Sequence, residues 1–187
     1  QQISKEELIY LTREWKGDRF EDGRPKVSDE LLNRMRLVTH DEAWAVMKNE
    51  GYFYQYADGW QIINPDSILI GRAVTATFMP GRPDIHNAID DRGKAGKRGQ
   101  NSWPVDLLVK RDVYVADQFG IHTNGPTIGD NVGNAIYAKS GNGIVYEGAV
   151  RDISGLKEIG GFTSYFGSYH PSHHNQPGNL NTMLVGI

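Results

Sequence analysis

Two dipeptides carry side chains suited to holding a small anion beside a divalent cation: Gly129-Asp130 and Arg151-Asp152, at the two ends of the stretch GDNVGNAIYAKSGNGIVYEGAVRD. The first opens a helix expected over about Asn131 to Lys139. A helix start presents N–H groups without intrahelical partners and a partial positive charge, so a carboxylate or phosphate can dock there. Gly129 permits close approach and Gly133 keeps the first turn uncluttered. Asp130 reads equally well as the N-cap of that helix. The second dipeptide comes after the run Tyr146 to Val150, at the mouth of an expected strand, where ligands of open α/β sheets gather. The fixed fork of an arginine can hold a carboxylate or enolate oxygen. An aspartate beside it can bind a hard cation directly or through water. A structural Arg–Asp ion pair fits the same residues.

Other candidate groups are less organised. His170, His173 and His174 share a polar tail and invite a zinc reading, but their spacing lacks a partnering motif. His86 and His122 stand near expected strand ends, where either could assist proton transfer. Arg92, Lys94, Lys97 and Arg98 sit among glycines in a segment read as a loop from Asp90 to Pro104, either solvated or closing over an anion. No G-x-S-x-G, Walker-type, dinucleotide-binding or H-E-x-x-H motif occurs. The chain has no cysteine, which excludes disulfide scaffolds, thiolate metal sites and cysteine nucleophiles.

The framework around these groups can be read from pattern. A length of 187 residues with 39% apolar residues suits one well-buried core. A net charge of -3 gives no global reason to bind nucleic acid, and no apolar run approaches the roughly 18 residues of a membrane span. Ser4 to Glu7 and Thr39 to Glu42 have capping-box spacing, and Ser28 can cap a helix carrying Leu31, Leu32 and Met35. The polar segment Glu14 to Lys26 reads as an irregular arm of the kind that packs on a neighbouring subunit, and the aromatics between Tyr52 and Trp60 read as a packed lid or core edge. Strands are expected over Ser67 to Met79, Asp112 to Asp117, Gly143 to Tyr146 and near Phe162 to Phe166, with a helix over Ile153 to Ile159. Strands alternating with short helices predict an α/β domain over residues 28–187, preceded by an N-terminal helix and arm over residues 1–27.

The first residue is Gln1, which suggests a processed or trimmed chain and slightly favours a periplasmic or secreted protein over a cytoplasmic one. The apolar stub Met183 to Ile187 resembles a strand that stops abruptly, so missing C-terminal strands, or a separate C-terminal fragment, are expected.

Three motifs in order carry a family resemblance: Gly71-Arg72-Ala73-Val74-Thr75-Ala76, Val113-Tyr114-Val115-Ala116-Asp117 and Gly143 through Asp152. From about Ser28 to Ile187 the chain resembles the family of regulator of ribonuclease activity A and the 4-hydroxy-4-methyl-2-oxoglutarate aldolases. That resemblance implies an α/β/β/α sandwich assembled as trimers or hexamers, with active sites at subunit boundaries. It further implies that backbone N–H groups of Gly129, Asp130, Asn131 and Val132 bind pyruvate, and that Arg151 stabilises its enolate. Asp152 would anchor Mg2+ or Mn2+, and Asp130 would help a water act as acid or base. One departure stands out, because the aldolase pattern places an acid where this chain has Gly155, with Glu158 the nearest downstream.

The activity so implied is a divalent-metal-dependent lyase acting on a 2-oxo acid, by retro-aldol cleavage to pyruvate or by decarboxylation of oxaloacetate. Two other readings remain open: a non-catalytic binding protein of the ribonuclease-regulator type, and a carbohydrate-acid lyase working by β-elimination.

Overall fold

Side-chain caps set the first three helices. Ser4 accepts from the Glu7 N–H to open α1 (Lys5–Leu11), and Ser28 accepts from Leu31 to open α2 (Asp29–Arg34). Thr39 and Glu42 close both halves of a capping box at α3 (His40–Asn49). The computed structural model describes residues 2–95, 99–120, 126–172, 175–176, 179–180 and 182–187.

Six strands form the main sheet: β1 (Gln61–Ile63), β2 (Arg72–Pro80), β3 (Asp112–Asp117), β4 (Ile144–Val150), β5 (Ser164–Tyr169) and β8 (Thr182–Gly186), in the order β1-β5-β4-β3-β2-β8. β2 to β5 run parallel in sequence order, and β1 and β8 flank them antiparallel. β6 (Asn175–Gln176) and β7 (Asn179–Leu180) form a separate two-stranded ladder. α4 (Pro83–Ala95) and α5 (Trp103–Asp106) connect β2 to β3, α6 (Asp130–Ser140) connects β3 to β4, and α7 (Ile153–Glu158) connects β4 to β5. The expected α/β class is therefore met, with seven α-helices and a six-stranded mixed sheet among the described residues. Val74, Tyr114, Ile136, Ile144, Leu156 and Phe162 meet in one continuous core. Among the described residues no helix is long and apolar enough to cross a membrane.

Two expectations are corrected. The stretch read as a loop from Asp90 begins inside α4, so Arg92 and Lys94 are helical, while Lys97 and Arg98 lie outside the described residues. Pro83 starts that helix, since proline fits a first helical turn whose N–H groups lack partners anyway. The aromatic run is not a packed edge: Tyr52, Phe53 and Tyr56 are exposed, and Tyr54 is 101% exposed.

The N-terminal arm folds back on its own sheet through a buried carboxylate. Asp112, at the start of β3, is fully buried and accepts from Arg24 Nη1 at 2.9 Å, Arg72 Nε at 3.0 Å and the Val109 N–H at 3.0 Å. Arg24 and Arg72 also lie over the Phe20 ring, at 5.0 and 5.3 Å from its centre. Arg72 Nη1 donates to the Val27 carbonyl, so one arginine touches sheet and arm together. The arm expected to face a neighbouring subunit thus has its main anchor within its own chain. Asp112→Ala strips two guanidinium groups of their shared partner and should destabilise the protein by about 3 kcal/mol, read from the denaturant midpoint. A loss below about 1 kcal/mol would mean that the clamp contributes no more than a surface ion pair.

Candidate functional site

β4 is the central feature of the site because it is buried along its length and ends at the Arg151-Asp152 pair. Its pairing with β5 slips by one residue: Tyr146 faces Phe166, yet Ala149 faces Ser168. A bulge of this kind bends a strand and re-aims the side chains beyond it. Past the bulge, the Arg151 N–H donates to the Ile128 carbonyl at 3.0 Å, and Ile128 bridges Val150 in parallel. That contact brings the segment before α6 against the end of β4.

Gly129 lies against the ends of these two side chains. A Cβ on Gly129 would lie 2.5 Å from Asp152 Oδ2 and 3.1 Å from Arg151 Nε, so both would have to turn away from a methyl group there. Gly129, Arg151 and Asp152 are thus brought together. Arg151 Nε lies 3.5 Å from Asp152 Oδ2, and both side chains remain partly open to solvent. Asp152 caps α7 with φ 55° and ψ 44°, a left-handed conformation that costs a non-glycine residue free energy.

α6 begins at Asp130 with Gly129 as its cap residue. Asp130 Oδ1 accepts from the Asn131 N–H at 2.7 Å, and the Gly133 N–H donates to the Gly129 carbonyl at 2.8 Å. Asn131 is exposed, whereas Val132 packs its side chain against the core, so Val132 can offer a ligand only its backbone. α6 crosses α7 closely where Gly133 meets Leu156, and this brings the two helix starts face to face. A Cβ on Gly155 would lie 2.8 Å from Asp130 Cβ and 3.0 Å from Asp130 Oδ2. The Asp130 carboxylate therefore occupies the space beside the position where the aldolase pattern has an acid.

Among the described residues no three His, Cys, Asp or Glu side chains gather as a metal cage. Asp152 still suits magnesium, which commonly takes one or two carboxylates and completes its shell with water and substrate oxygens. Of the histidines, His86 is buried on α4 with Asp90 and Gln100 as its bonded partners, away from these residues. His122, His173 and His174 lie outside the described residues. His170 is placed nearby, its N–H donating to the Val150 carbonyl at 3.0 Å and its Nδ1 accepting from the Ser172 N–H at 3.2 Å.

Beneath the site lies a polar group that sequence reasoning missed. The Tyr146 hydroxyl, fully buried, lies 2.6 Å from Thr127 Oγ1 and donates to Gln118 Oε1. Burial pushes the Tyr146 phenol well above its ordinary value, against the opposing hydrogen bond from Thr127, so the group stays protonated.

The chain is an α/β protein that presents a helix start, an arginine and an aspartate at the carboxyl end of a central parallel strand. The chain belongs to the RraA-like family, described as Aldolase/RraA, whose model matches residues 25–185. Membership is compatible with a lyase and with a regulatory protein of the RraA type. Among solved structures, the fold is similar to Streptomyces coelicolor RraAS2, described as an unusual member of the RNase ES inhibitor RraA family. The TM-score is 0.67 and the identity 22%, over 86% of this chain and 72% of that one. A structure described as novel cellulases from microbes associated with the gut ecosystem gives a TM-score of 0.67 at 14% identity, over 98% of this chain and 74% of that one. An uncharacterized protein from Pseudomonas syringae pv. tomato gives 0.59 at 14%, over 85% and 66%. At such identities the likeness concerns the fold alone. No curated protein matches the sequence.

Gly129→Ala tests the close approach directly. Its φ of -130° suits any residue, so only space is at stake. Both contacts are with side chains that are partly open to solvent and can swing aside, so denaturant unfolding should change by no more than about 1 kcal/mol, and a larger loss would show that the backbone itself has to move.

Proposed function

We propose that this protein is a divalent-metal-dependent lyase of 2-oxo acids, which cleaves a 4-hydroxy-2-oxo diacid to pyruvate or decarboxylates oxaloacetate. The observation that carries the reading is the meeting of Gly129, Arg151 and Asp152 at the carboxyl end of β4, where the arginine and the carboxylate lie against the start of α6. In this reading the N–H groups at the start of α6, apart from that of Asn131 which Asp130 Oδ1 holds, orient the substrate carboxylate, with Val132 contributing backbone only. Arg151 presents its guanidinium to the 2-oxo oxygen, where negative charge develops as the neighbouring bond breaks. Asp130, beside Gly155, holds the water that carries the proton between the substrate hydroxyl and solvent. Mg2+ or Mn2+ held through Asp152 would supply Lewis-acid polarisation of the 2-oxo group.

Retro-aldol cleavage and decarboxylation both leave an enolate of pyruvate, so one arginine can serve both. Purified protein with magnesium or manganese should release pyruvate from a 4-hydroxy-2-oxo diacid or from oxaloacetate, read with a coupled dehydrogenase. Arg151→Ala should lower kcat by about 100-fold or more. Asp152→Asn should raise the metal concentration needed for half-maximal rate. If no such substrate yields pyruvate and Arg151→Ala alters nothing, the reading is wrong. An unsaturated product from a uronic-acid substrate would instead indicate β-elimination.

The same reading includes assembly as a homotrimer or hexamer. Support comes from apolar surface that a lone chain leaves in water: Leu37 is 84% exposed and Val46 62%, beside the uncovered aromatics from Tyr52 to Tyr56. Sedimentation should find a trimer or hexamer, and the double change Leu37→Glu with Val46→Glu should shift it toward monomer. A monomeric native protein at micromolar concentration would overturn the assembly.

A further inference from the structure

The segment before α6 is fastened to β4 at two points of different kinds. One is backbone: Ile128 bridges Val150 and accepts from the Arg151 N–H. The other is the side chain of Thr127, two residues before Gly129, on the Tyr146 hydroxyl at 2.6 Å. The same hydroxyl reaches Gln118, just past β3, which is itself fully buried and whose N–H donates to the Glu147 carbonyl at 2.7 Å. One phenol oxygen therefore ties together β4, the end of β3 and the segment that enters the site. Gly148, in the bulge, leaves space for this knot: a Cβ there would lie 2.5 Å from Gln118 Oε1 and 2.9 Å from Tyr146 Cζ.

Stability alone does not call for a phenol here. Phenylalanine with apolar residues at 118 and 127 would fill the same core space with no polar group to desolvate, and buried polar networks of this type fix geometry more than they add stability. The protons order themselves along the chain: Tyr146 donates to Gln118 Oε1, so Thr127 must donate to Tyr146. The Tyr146 hydroxyl then accepts from Thr127 and donates to Gln118, and Thr127 is held at one height against the strand.

We propose that Tyr146 is a positioning residue, whose hydroxyl sets Thr127, and through it Gly129 and the start of α6, at the distance from Arg151 that a substrate carboxylate requires. The carboxylate rests on the lyase reading above, whereas the control of the 127–132 segment does not.

Tyr146→Phe removes only the hydroxyl, Thr127→Val removes the same bond from the other side, and Thr127→Ser keeps it. Three measurements apply: native-state amide exchange across residues 127–132 and at Arg151, titration with oxalate in magnesium as a probe resembling the pyruvate enolate, and pyruvate-release kinetics. Thr127→Val should speed exchange in that segment by about tenfold, the size expected for one net hydrogen bond, and Tyr146→Phe, which loses the bonds to both Thr127 and Gln118, by at least as much, with β2 amides little changed. Oxalate affinity should weaken by a similar factor, with KM rising more than kcat falls, and Thr127→Ser should behave as wild type. Exchange that stays unchanged, or that rises equally through the whole sheet, would overturn the proposal. So would faster exchange with oxalate affinity intact. Should wild-type protein neither bind oxalate nor release pyruvate, the lyase reading fails, and the exchange measurements still decide the role of Tyr146.

Discussion

The backbone contact between the segment before α6 and the end of β4, Ile128 against Val150 and Arg151, determines the rest of the arrangement. Gly129 lies so close to Arg151 and Asp152 that any side chain at that position would part them. For this contact to exist, Ile128 has to lie in register with Val150, β4 has to bend at its bulge, and α6 has to leave the sheet at a fixed angle. The crossing of α6 over α7 at Gly133 belongs to the same geometry and brings Asp130 against Gly155. Glycines at 129, 133 and 155 thus act together, each supplying distance that its neighbours then depend on.

Two buried polar fixtures stand at opposite ends of the parallel strands. Asp112 with its arginines locks the amino end of β3 to β2 and to the arm, and Tyr146 with Thr127 and Gln118 locks the carboxyl end of β3 to β4. The chemistry of the two differs. The first neutralises a charge that has no access to water, while the second joins neutral groups whose value lies in direction. Between them the strands hold their register through backbone pairing and their buried faces, so the fixtures act on the position of the loops and helix starts at either end.

Much of the frame was legible in the sequence because local signals were strong. β3 is a short apolar run bounded by aspartates and matches its expected limits, and both capping residues of α3 form the bonds their spacing implies. Arg151 and Asp152 could be placed at a strand end because the run before them is apolar and the pair is charged. The features that escaped depend on distance along the chain. Tyr146 reads as one more core aromatic, since its partners lie 19 and 28 positions away. The vacancy at Gly155 looked like a missing acid, and only the helix crossing reveals Asp130 beside it. α4 was hidden by Pro83 at its start and Gly93 near its end, and the exposure of the aromatics by their apolar character, which on its own predicts burial.

The left-handed backbone at Asp152 also limits which amino acids can stand there. That conformation is readily adopted by glycine, asparagine and aspartate and resisted by longer or branched residues. Of the two acidic amino acids only the shorter is comfortable, so the reach of this carboxylate is set by the main chain. Asparagine would keep the length and remove the charge, and glycine would remove the side chain altogether. Arg111 and Phe119 hold the same backbone sign elsewhere in the chain, so a longer residue at 152 would carry strain rather than be excluded.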